Sequence, residues 1–256
     1  MAKEHRGPYY EPAVVAQGFI EGRHIINKYG RNTDVDAAED VWNGGGLYTG
    51  FPIGAATTFT TVSTDANDTA AGTGTRTWRW YYLDADLNAF DADGEFLYFD
   101  VTMAGLTPVA STVTGKRIWR GHALTGGSGL ANAGAISVYA TGTPATIFAV
   151  APIGKNQTAL SNFTIPTGYT GYMLSYSADM LDNTTNRAVL SIRQSDQSGL
   201  VRLRQPFSIT TERDGGDIPH GGLKFTEQID ICFRVESVQN ANADIMVRYD
   251  LLLVPN

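Results

Sequence analysis

The sequence has one cysteine, Cys232, among its 256 residues, and this excludes an intrachain disulfide. It also lacks any run of 18 apolar residues, and no apolar stretch follows its charged start, MAKEHR. Neither a membrane-spanning helix nor a secretory signal is therefore predicted. We expect a chain that is made in a reducing cytoplasm and folds by packing alone.

Positive charge is scarce, since 19 Lys and Arg residues stand against 26 Asp and Glu residues, a formal charge of −7. The densest basic patch is Arg202 with Arg204, which alternates with Val201 and Leu203 as on the outer face of a strand. This balance argues against a protein that coats nucleic acid. The four histidines are scattered without the spacing of metal ligands, and we predict no cofactor.

Helical periodicity is absent too, because no stretch of about a dozen residues within 53–254 keeps it. Short runs of Val, Ile, Thr, Tyr, Phe and Trp alternate with turns supplied by 28 glycines. We predict an all-β fold, an antiparallel β-sandwich or jelly roll over residues 51–256, built as one body or as two small β-subdomains. No repeat of 20–50 residues is visible, which argues against a propeller.

The end of the chain has the clearest strand pattern. Apolar residues occupy alternate positions of one face: Ile245, Val247, Tyr249, Leu251 and Leu253. Residues 229–235 alternate in the same way, and we predict that the two segments form a hairpin across residues 237–243.

Residues 1–50 differ from the rest, because glycine and proline interrupt any regular element while large apolar groups remain. Such a segment usually lies on another surface. It could cover its own core, but we favour an irregular N-terminal arm that anchors the protein to another subunit. The aromatic residues expected to make these contacts are Tyr9, Tyr10, Phe19, Tyr29 and Trp42.

Residues 78–82, WRWYY, carry large side chains on both faces of a predicted strand. If Trp78, Trp80 and Tyr82 fill the core, Arg79 and Tyr81 form a pair typical of interface centres. Open sheet edges also need covering. We therefore predict a homo-oligomer, with a trimer favoured, although loops of the same chain could cover such a face.

One segment partly matches a calcium-binding loop. Asp84, Asp86, Asn88 and Glu95 stand at positions 1, 3, 5 and 12 of that motif, where oxygen ligands are needed. Ala89 stands where the motif has glycine, and no helix flanks the segment. The favoured interpretation is a polar hairpin tip between two strands.

No catalytic constellation is evident. Carboxylates that lie in or beside predicted strands show no spacing that singles out an acid–base pair: Asp100, Asp179, Glu227 and Asp230. A hydrolase is the weakest of the alternatives, and we predict a protein that is not an enzyme.

Six segments together resemble a family of tailed-bacteriophage virion proteins that are common in marine and freshwater phages. They are residues 27–36 (NKYGRNTDVD), 39–46 (EDVWNGGG), 65–76 (DANDTAAGTGTR), 83–88 (LDADLN), 124–134 (LTGGSGLANAG) and 250–254 (DLLLV). The resemblance extends over nearly the whole chain from residue 26. The tryptophans at 78 and 80 depart from it, since simpler aliphatic residues are usual there.

The resemblance implies a structural protein of the virion, assembled in the host cytoplasm with capsid, neck or tail proteins as partners. A capsid decoration, neck-fibre or head-spike protein is the leading expectation. The alternative is a tail or baseplate component that contacts the host surface and its glycans.

Overall fold

The structure is a computed structural model that describes residues 11–16, 20–51, 54–181, 186–211 and 222–256. These residues form one short helix, α1 (Glu11–Ala16), and sixteen strands. The strands of the first half are β1 (His24–Val35), β2 (Glu39–Asp40), β3 (Thr57–Ser63), β4 (Thr75–Leu83), β5 (Tyr98–Thr102), β6 (Val109–Gly115), β7 (Arg117–Gly126) and β8 (Ile136–Ala140). Those of the second half are β9 (Thr143–Ala151), β10 (Phe163–Thr164), β11 (Tyr169–Met180), β12 (Arg187–Ser195), β13 (Val201–Thr210), β14 (Leu223–Phe225), β15 (Asp230–Val238) and β16 (Ala243–Pro255).

The strands form four sheets whose paired strands are antiparallel. Sheet 1 has the order β1-β16-β11-β14, and sheet 2 has the order β10-β15-β12-β13 with β2 beside β15. Sheet 3 has the order β6-β3-β8-β9, and sheet 4 has the order β5-β4-β7. The predicted all-β, antiparallel fold is confirmed in the described part of the chain. Four sheets suggest a four-bladed, propeller-like arrangement rather than specifically a jelly roll, so the prediction against a propeller, made from the missing sequence repeat, does not hold.

Two hydrophobic cores lie between these sheets. Core 1 is filled mainly from sheets 1 and 2, with Ile26, Phe163, Met173, Leu190, Phe233 and Val247 among its members. Core 2 is filled mainly from sheets 3 and 4, with Phe59, Trp78, Trp80, Ile136, Val138 and Phe148 among its members. Sheet 4 contributes to both cores, because Trp119 of β7 packs in core 1 while Ile118 packs in core 2.

The alternation seen at the end of the chain is confirmed, since all five predicted residues of β16 are buried in core 1. The predicted hairpin with residues 229–235 is wrong. β16 pairs with β1 and β11 in sheet 1, whereas β15 pairs with β12, β10 and β2 in sheet 2. A period of two predicts which face of a strand is buried, and both strands do face core 1. The period does not predict which strands are neighbours in a sheet.

The prediction that residues 1–50 form an irregular arm is wrong for the segment that begins at β1. This strand of twelve residues pairs with β16 from the His24–Leu253 pair to the Val35–Ala243 pair. Ile26 and Val35 of β1, followed by Val41, are buried in core 1. The segment therefore belongs to the fold, because its apolar groups cover the core of its own chain.

Candidate functional site

The burial of strand β4 confirms the prediction that one of its faces fills the core and the other does not. Trp78 and Trp80 are fully buried in core 2, and Tyr82 is also buried there. Arg79 and Tyr81 are half-buried on the opposite face of sheet 4. A role of this face in an interface stays a prediction.

This face, which we call the Arg79 surface, consists of Arg79, Tyr81, Tyr98, Asp100 and His122, and Tyr81 also packs against core 1. The guanidinium of Arg79 donates two hydrogen bonds to Asp100, with Nε–Oδ1 and Nη2–Oδ2 distances of 2.7 and 2.8 Å. It also stacks on the ring of Tyr98, whose centroid is 3.6 Å from Cζ. The bonds to Asp100 raise the pKa of Arg79. Arg79 is thus held rigidly, with its charge neutralised by a neighbour.

Aromatic contacts continue this surface toward β7. The Tyr81 ring lies 6.2 Å from the Tyr98 ring and 5.7 Å from the His122 ring, measured between centroids. Burial lowers the pKa of His122, and the positive charges of Arg79 and Arg120 lower it further. His122 is therefore neutral at neutral pH, and the surface presents aromatic rings with a paired charge.

The other predicted contact residues have different positions. Trp42 is only 3% exposed, lies in core 2 and donates through Nε1 to the carbonyl of Gly46 at 3.2 Å. Its prediction as an intermolecular contact is wrong, because the side chain is enclosed by its own chain. Tyr9, Tyr10 and Phe19 lie outside the described residues.

Tyr29 lies on the outer face of sheet 1 and lines a cavity of about 520 Å³, which we call the Tyr29 groove. Three adjacent strands form it. The residues that line it are Asn27, Lys28 and Tyr29 of β1, Ser175, Tyr176 and Ser177 of β11, and Arg248, Tyr249 and Asp250 of β16. Of these residues, the sequence analysis selected only Tyr29. The polar residues that alternate with the apolar face of β16 could have indicated a polar outer surface there.

The polar groups of this groove are held by bonds to one another. Asn27 Nδ2 donates to Asp250 Oδ1 at 2.5 Å, and Ser175 Oγ donates to Asp250 Oδ2 at 2.7 Å. Arg248 Nη2 donates to Asp179 Oδ2 at 2.8 Å, and the Arg248 side chain remains 59% exposed. The result is a fixed row of hydrogen-bonding groups across three strands.

A β-bulge in β11 places Ser175 in this row. The pairing with β16 passes from Met173–Leu251 directly to Ser175–Asp250, so Leu174 is an extra residue. Met173 is buried in core 1, and a regular strand would direct Ser175 to the same side. The bulge moves Ser175 to the outer face opposite Asp250.

Tyr29 also lines a second depression of about 280 Å³. Its other lining residues come from β1 and from two loops: Arg31, Thr33, Asn43, Pro152, Lys155, Gln157 and Ala159. Arg31 donates to Asp244 through Nε and Nη2 at 2.8 and 2.5 Å. The two concavities therefore meet at one tyrosine.

Lys28 lines the groove, but its ammonium group connects two sheets. Its Nζ donates to the carbonyl of Trp119 in β7 and lies 5.7 Å from the centroid of the Trp119 ring. Full burial lowers its pKa well below the ordinary value, and Arg120 lowers it further. Lys28 therefore ties sheet 1 to sheet 4.

The edge strand β13 and the residue before it carry an exposed apolar patch that sequence reasoning missed. Leu200, Val201 and Leu203 are 54%, 53% and 55% exposed. A bulge leaves Arg204 as the extra residue, because Ile192–Gln205 is followed by Arg193–Leu203. Sequence reasoning placed only the arginines of this strand on its outer face, whereas the structure exposes the apolar residues as well. We call Leu200, Val201 and Leu203 the β13 patch.

The calcium-loop prediction is not supported, and the hairpin is confirmed. Asp84 Oδ1 accepts from the backbone nitrogens of Asp86 and Asn88, each at 2.8 Å, and Asp84 Oδ2 accepts from Asn88 Nδ2 at 3.0 Å. The Asp84 carboxylate thus closes a turn between β4 and its partner β5. Glu95 follows a second turn, in which Asp91 Oδ1 accepts from its backbone nitrogen at 3.0 Å. No group of three or more potential metal ligands occurs among the described residues.

Comparisons with known proteins identify no relative: no protein-family model matches this chain, and neither does any curated protein or solved structure. Within the described ranges, none of the helices has the length and apolar character needed to cross a membrane.

Proposed function

We propose that this chain is a non-enzymatic structural component of a tailed-bacteriophage virion, a capsid decoration, neck-fibre or head-spike protein that assembles as a homo-oligomer. The resemblance of six segments to virion proteins of such phages supports the role. The observation that carries the assembly is the β13 patch, which leaves large apolar side chains in water at a sheet edge. An exposed edge of this kind is a site for association.

We also propose a specific architecture for the four sheets. Core 1 is filled mainly from sheets 1 and 2 and core 2 mainly from sheets 3 and 4, with sheet 4 contributing to both, and we infer two packed β-sandwiches, one around each core. Architectures of this class serve in many capsid and surface proteins. A closed ring of copies covers one open edge on every chain, and we favour a trimer because virion spikes and decoration proteins often have that symmetry.

The charged groups of the described residues also suit a structural role. Arg234 pairs with Asp40 at 2.6 Å and Arg193 pairs with Glu236 at 2.5 Å, both on sheet 2. Burial acts to raise the pKa of Glu236, but the hydrogen bonds from Arg193 and Ser191, together with the positive charges of Arg193 and Arg234, outweigh it and lower the pKa. These groups neutralise one another within the fold, so they supply no free acid or base.

Light scattering at micromolar concentration tests the assembly. The wild-type protein is expected to have a mass of several chains of 27.6 kDa, with three chains favoured. The double variant Val201→Asp, Leu203→Asp should fall to one chain without a change in circular dichroism, since both side chains are exposed. Leu106→Asp is the matched control, because Leu106 is 61% exposed outside the β13 patch and should leave the mass unchanged. A wild-type mass of one chain would refute the homo-oligomer.

A cryo-electron microscopy map of purified particles tests the role in the virion. The expected result is density on the head or neck that this chain fills at a fixed copy number. Absence of the protein from purified infectious particles would contradict the proposal. Density for the protein at the tail tip would instead support the alternative, a component that contacts the host surface.

A further inference from the structure

We propose that the Tyr29 groove binds an uncharged saccharide, which stacks on the Tyr29 ring and exchanges hydrogen bonds with Asp250, Arg248 and Ser177. This inference goes beyond the proposed role in the virion and does not depend on it. It rests on the charge, the hydrogen-bonding capacity and the size of the groove.

The charges of the groove favour a neutral ligand. Its exposed cation, Arg248, already pairs with Asp179, and its carboxylate, Asp250, accepts from two neutral donors, Asn27 and Ser175. Lys28 directs its ammonium group to the Trp119 carbonyl instead. Among the residues that line the groove, no cation remains unpaired to balance an anion beside Asp250, and the nearby Arg120 donates to the backbone carbonyl of Asn27. A phosphate or an acidic ligand is therefore a poor match.

The remaining hydrogen-bonding capacity matches sugar hydroxyl groups, which are both donors and acceptors. A carboxylate has about four acceptor positions, so Asp250 can accept two more bonds in addition to those from Asn27 and Ser175. Arg248 has about five N–H donors, of which the bond to Asp179 uses one. Neighbouring hydroxyls of one sugar ring can thus bind a fixed acceptor and a fixed donor on adjacent strands.

The position of Tyr29 favours a chain of sugars. Its side chain lines both the 520 Å³ groove and the 280 Å³ depression, so units on either side of one ring can be held together. The larger volume lies within the range of about 300–1,000 Å³ that is usual for small-molecule sites. A docked protein segment fits less well, because the cores of protein interfaces are depleted in charged residues.

The bulge at Leu174 indicates that the row of polar groups is a built feature. It directs Ser175 away from core 1 and onto Asp250, at the expense of regular pairing with β16. Bulges often re-aim side chains beside functional sites. Here the bulge adds the second neutral donor that orients the Asp250 carboxylate.

Affinity electrophoresis in gels that contain dextran, galactomannan or a soluble β-glucan, together with a glycan array, tests the inference. At least one neutral glycan should retard or retain the full-length protein. Tyr29→Ala should weaken that binding by about tenfold or more, the effect of about 1.4 kcal/mol, whereas Tyr29→Phe keeps the ring and should stay within about threefold. Ser177→Trp fills the groove from the outer face and should abolish binding.

Tyr98→Ala is the matched control, because it removes an exposed tyrosine from sheet 4 and should leave binding unchanged. Circular dichroism verifies that each variant is folded, and Ser177→Trp remains informative if Tyr29→Ala is not. The inference is overturned if no neutral glycan binds, if only anionic polysaccharides such as alginate bind, or if the Tyr29 and Ser177 variants bind like the wild type.

Discussion

Replacing Arg117 by methionine should cost more stability than any equivalent change at a surface ion pair. Its side chain is 1% exposed and that of its partner Asp230 is not exposed at all. Nε and Nη2 of Arg117 reach Asp230 Oδ1 and Oδ2 at 3.1 and 3.0 Å, and Thr164 Oγ1 donates to Oδ1 at 2.6 Å. Arg117 Nη2 also donates to Gln197 Oε1 at 3.0 Å. Arg117 Nε also donates to Thr164 Oγ1 at 3.2 Å, so one guanidinium joins β7 of sheet 4 to β10, to β15 and to the loop after β12.

The expected cost is about 3–5 kcal/mol, because the change leaves a buried carboxylate without its countercharge. Arg79→Met is the matched control. Arg79 also forms a two-bond pair with a carboxylate, but the side chains of Arg79 and Asp100 are 24% and 43% exposed. Breaking an exposed pair costs about 1 kcal/mol or less. Urea denaturation followed by tryptophan fluorescence measures both variants.

The pH dependence of the loss identifies its cause. Burial raises the pKa of Asp230, and Arg117 opposes that rise. Without Arg117 the folded-state pKa rises further above the unfolded value, so folding penalises the ionised carboxylate. This penalty is absent below the unfolded pKa, about 3.9, and grows as the pH rises through the folded pKa. The deficit of Arg117→Met should therefore shrink on acidification from neutral pH. Equal losses in the Arg117 and Arg79 variants, or a loss that does not depend on pH, would refute the argument.

Two further predictions concern the close packing at Gly30 and the pH dependence of stability at His122. Gly30→Ala should lower the free energy of unfolding by about 1–3 kcal/mol or more, because a Cβ there would lie 2.3 Å from the Val41 carbonyl oxygen and 2.6 Å from the Ser161 nitrogen. Gly54→Ala is the control, since its Cβ meets no atom within 4 Å and should leave thermal unfolding nearly unchanged. His122→Gln should reduce the stability lost between about pH 7.5 and 5.5. Because the pKa of His122 is lowered in the folded protein, the unfolded chain takes up the proton more readily as the pH falls through this range. A loss equal to that of the wild type would contradict this.

The sequence was sufficient to predict the all-β class and the buried faces of several strands. In β4 the buried Trp78, Trp80 and Tyr82 stand at every second position, and in β16 the residues from Ile245 to Leu253 that are buried in core 1 do the same, so the period of two identified the core face. Propensity and turn residues also predicted the hairpin at Asp84, since aspartate and asparagine favour such turns. These features depend on neighbours in sequence.

Long-range pairing was not predictable in the same way. The strand β1 is interrupted by Gly30 and contains few apolar residues, and its role becomes clear only when β16 lies beside it. Gly30 looked like a break in the chain, yet it is required because Val41 and Ser161 approach its backbone closely. Trp42 looked costly to expose, but the loop after β2 folds it into core 2. Partners distant in the sequence decide each of these outcomes.

The two surfaces for which we propose roles share a cause that a pattern of residue types does not reveal. At Leu174 a bulge brings Ser175 to the outer face of sheet 1, and at Arg204 a bulge directly follows the exposed Val201 and Leu203 on sheet 2. A bulge reverses the phase of a strand, so residues with the period of a buried face come to lie outside. Regular pairing would direct Ser175 to the side of Met173 and Leu203 to that of Gln205, which lies opposite the buried Ile192. The interruptions in the two ladders therefore determine which side chains this protein offers to a ligand and to another chain.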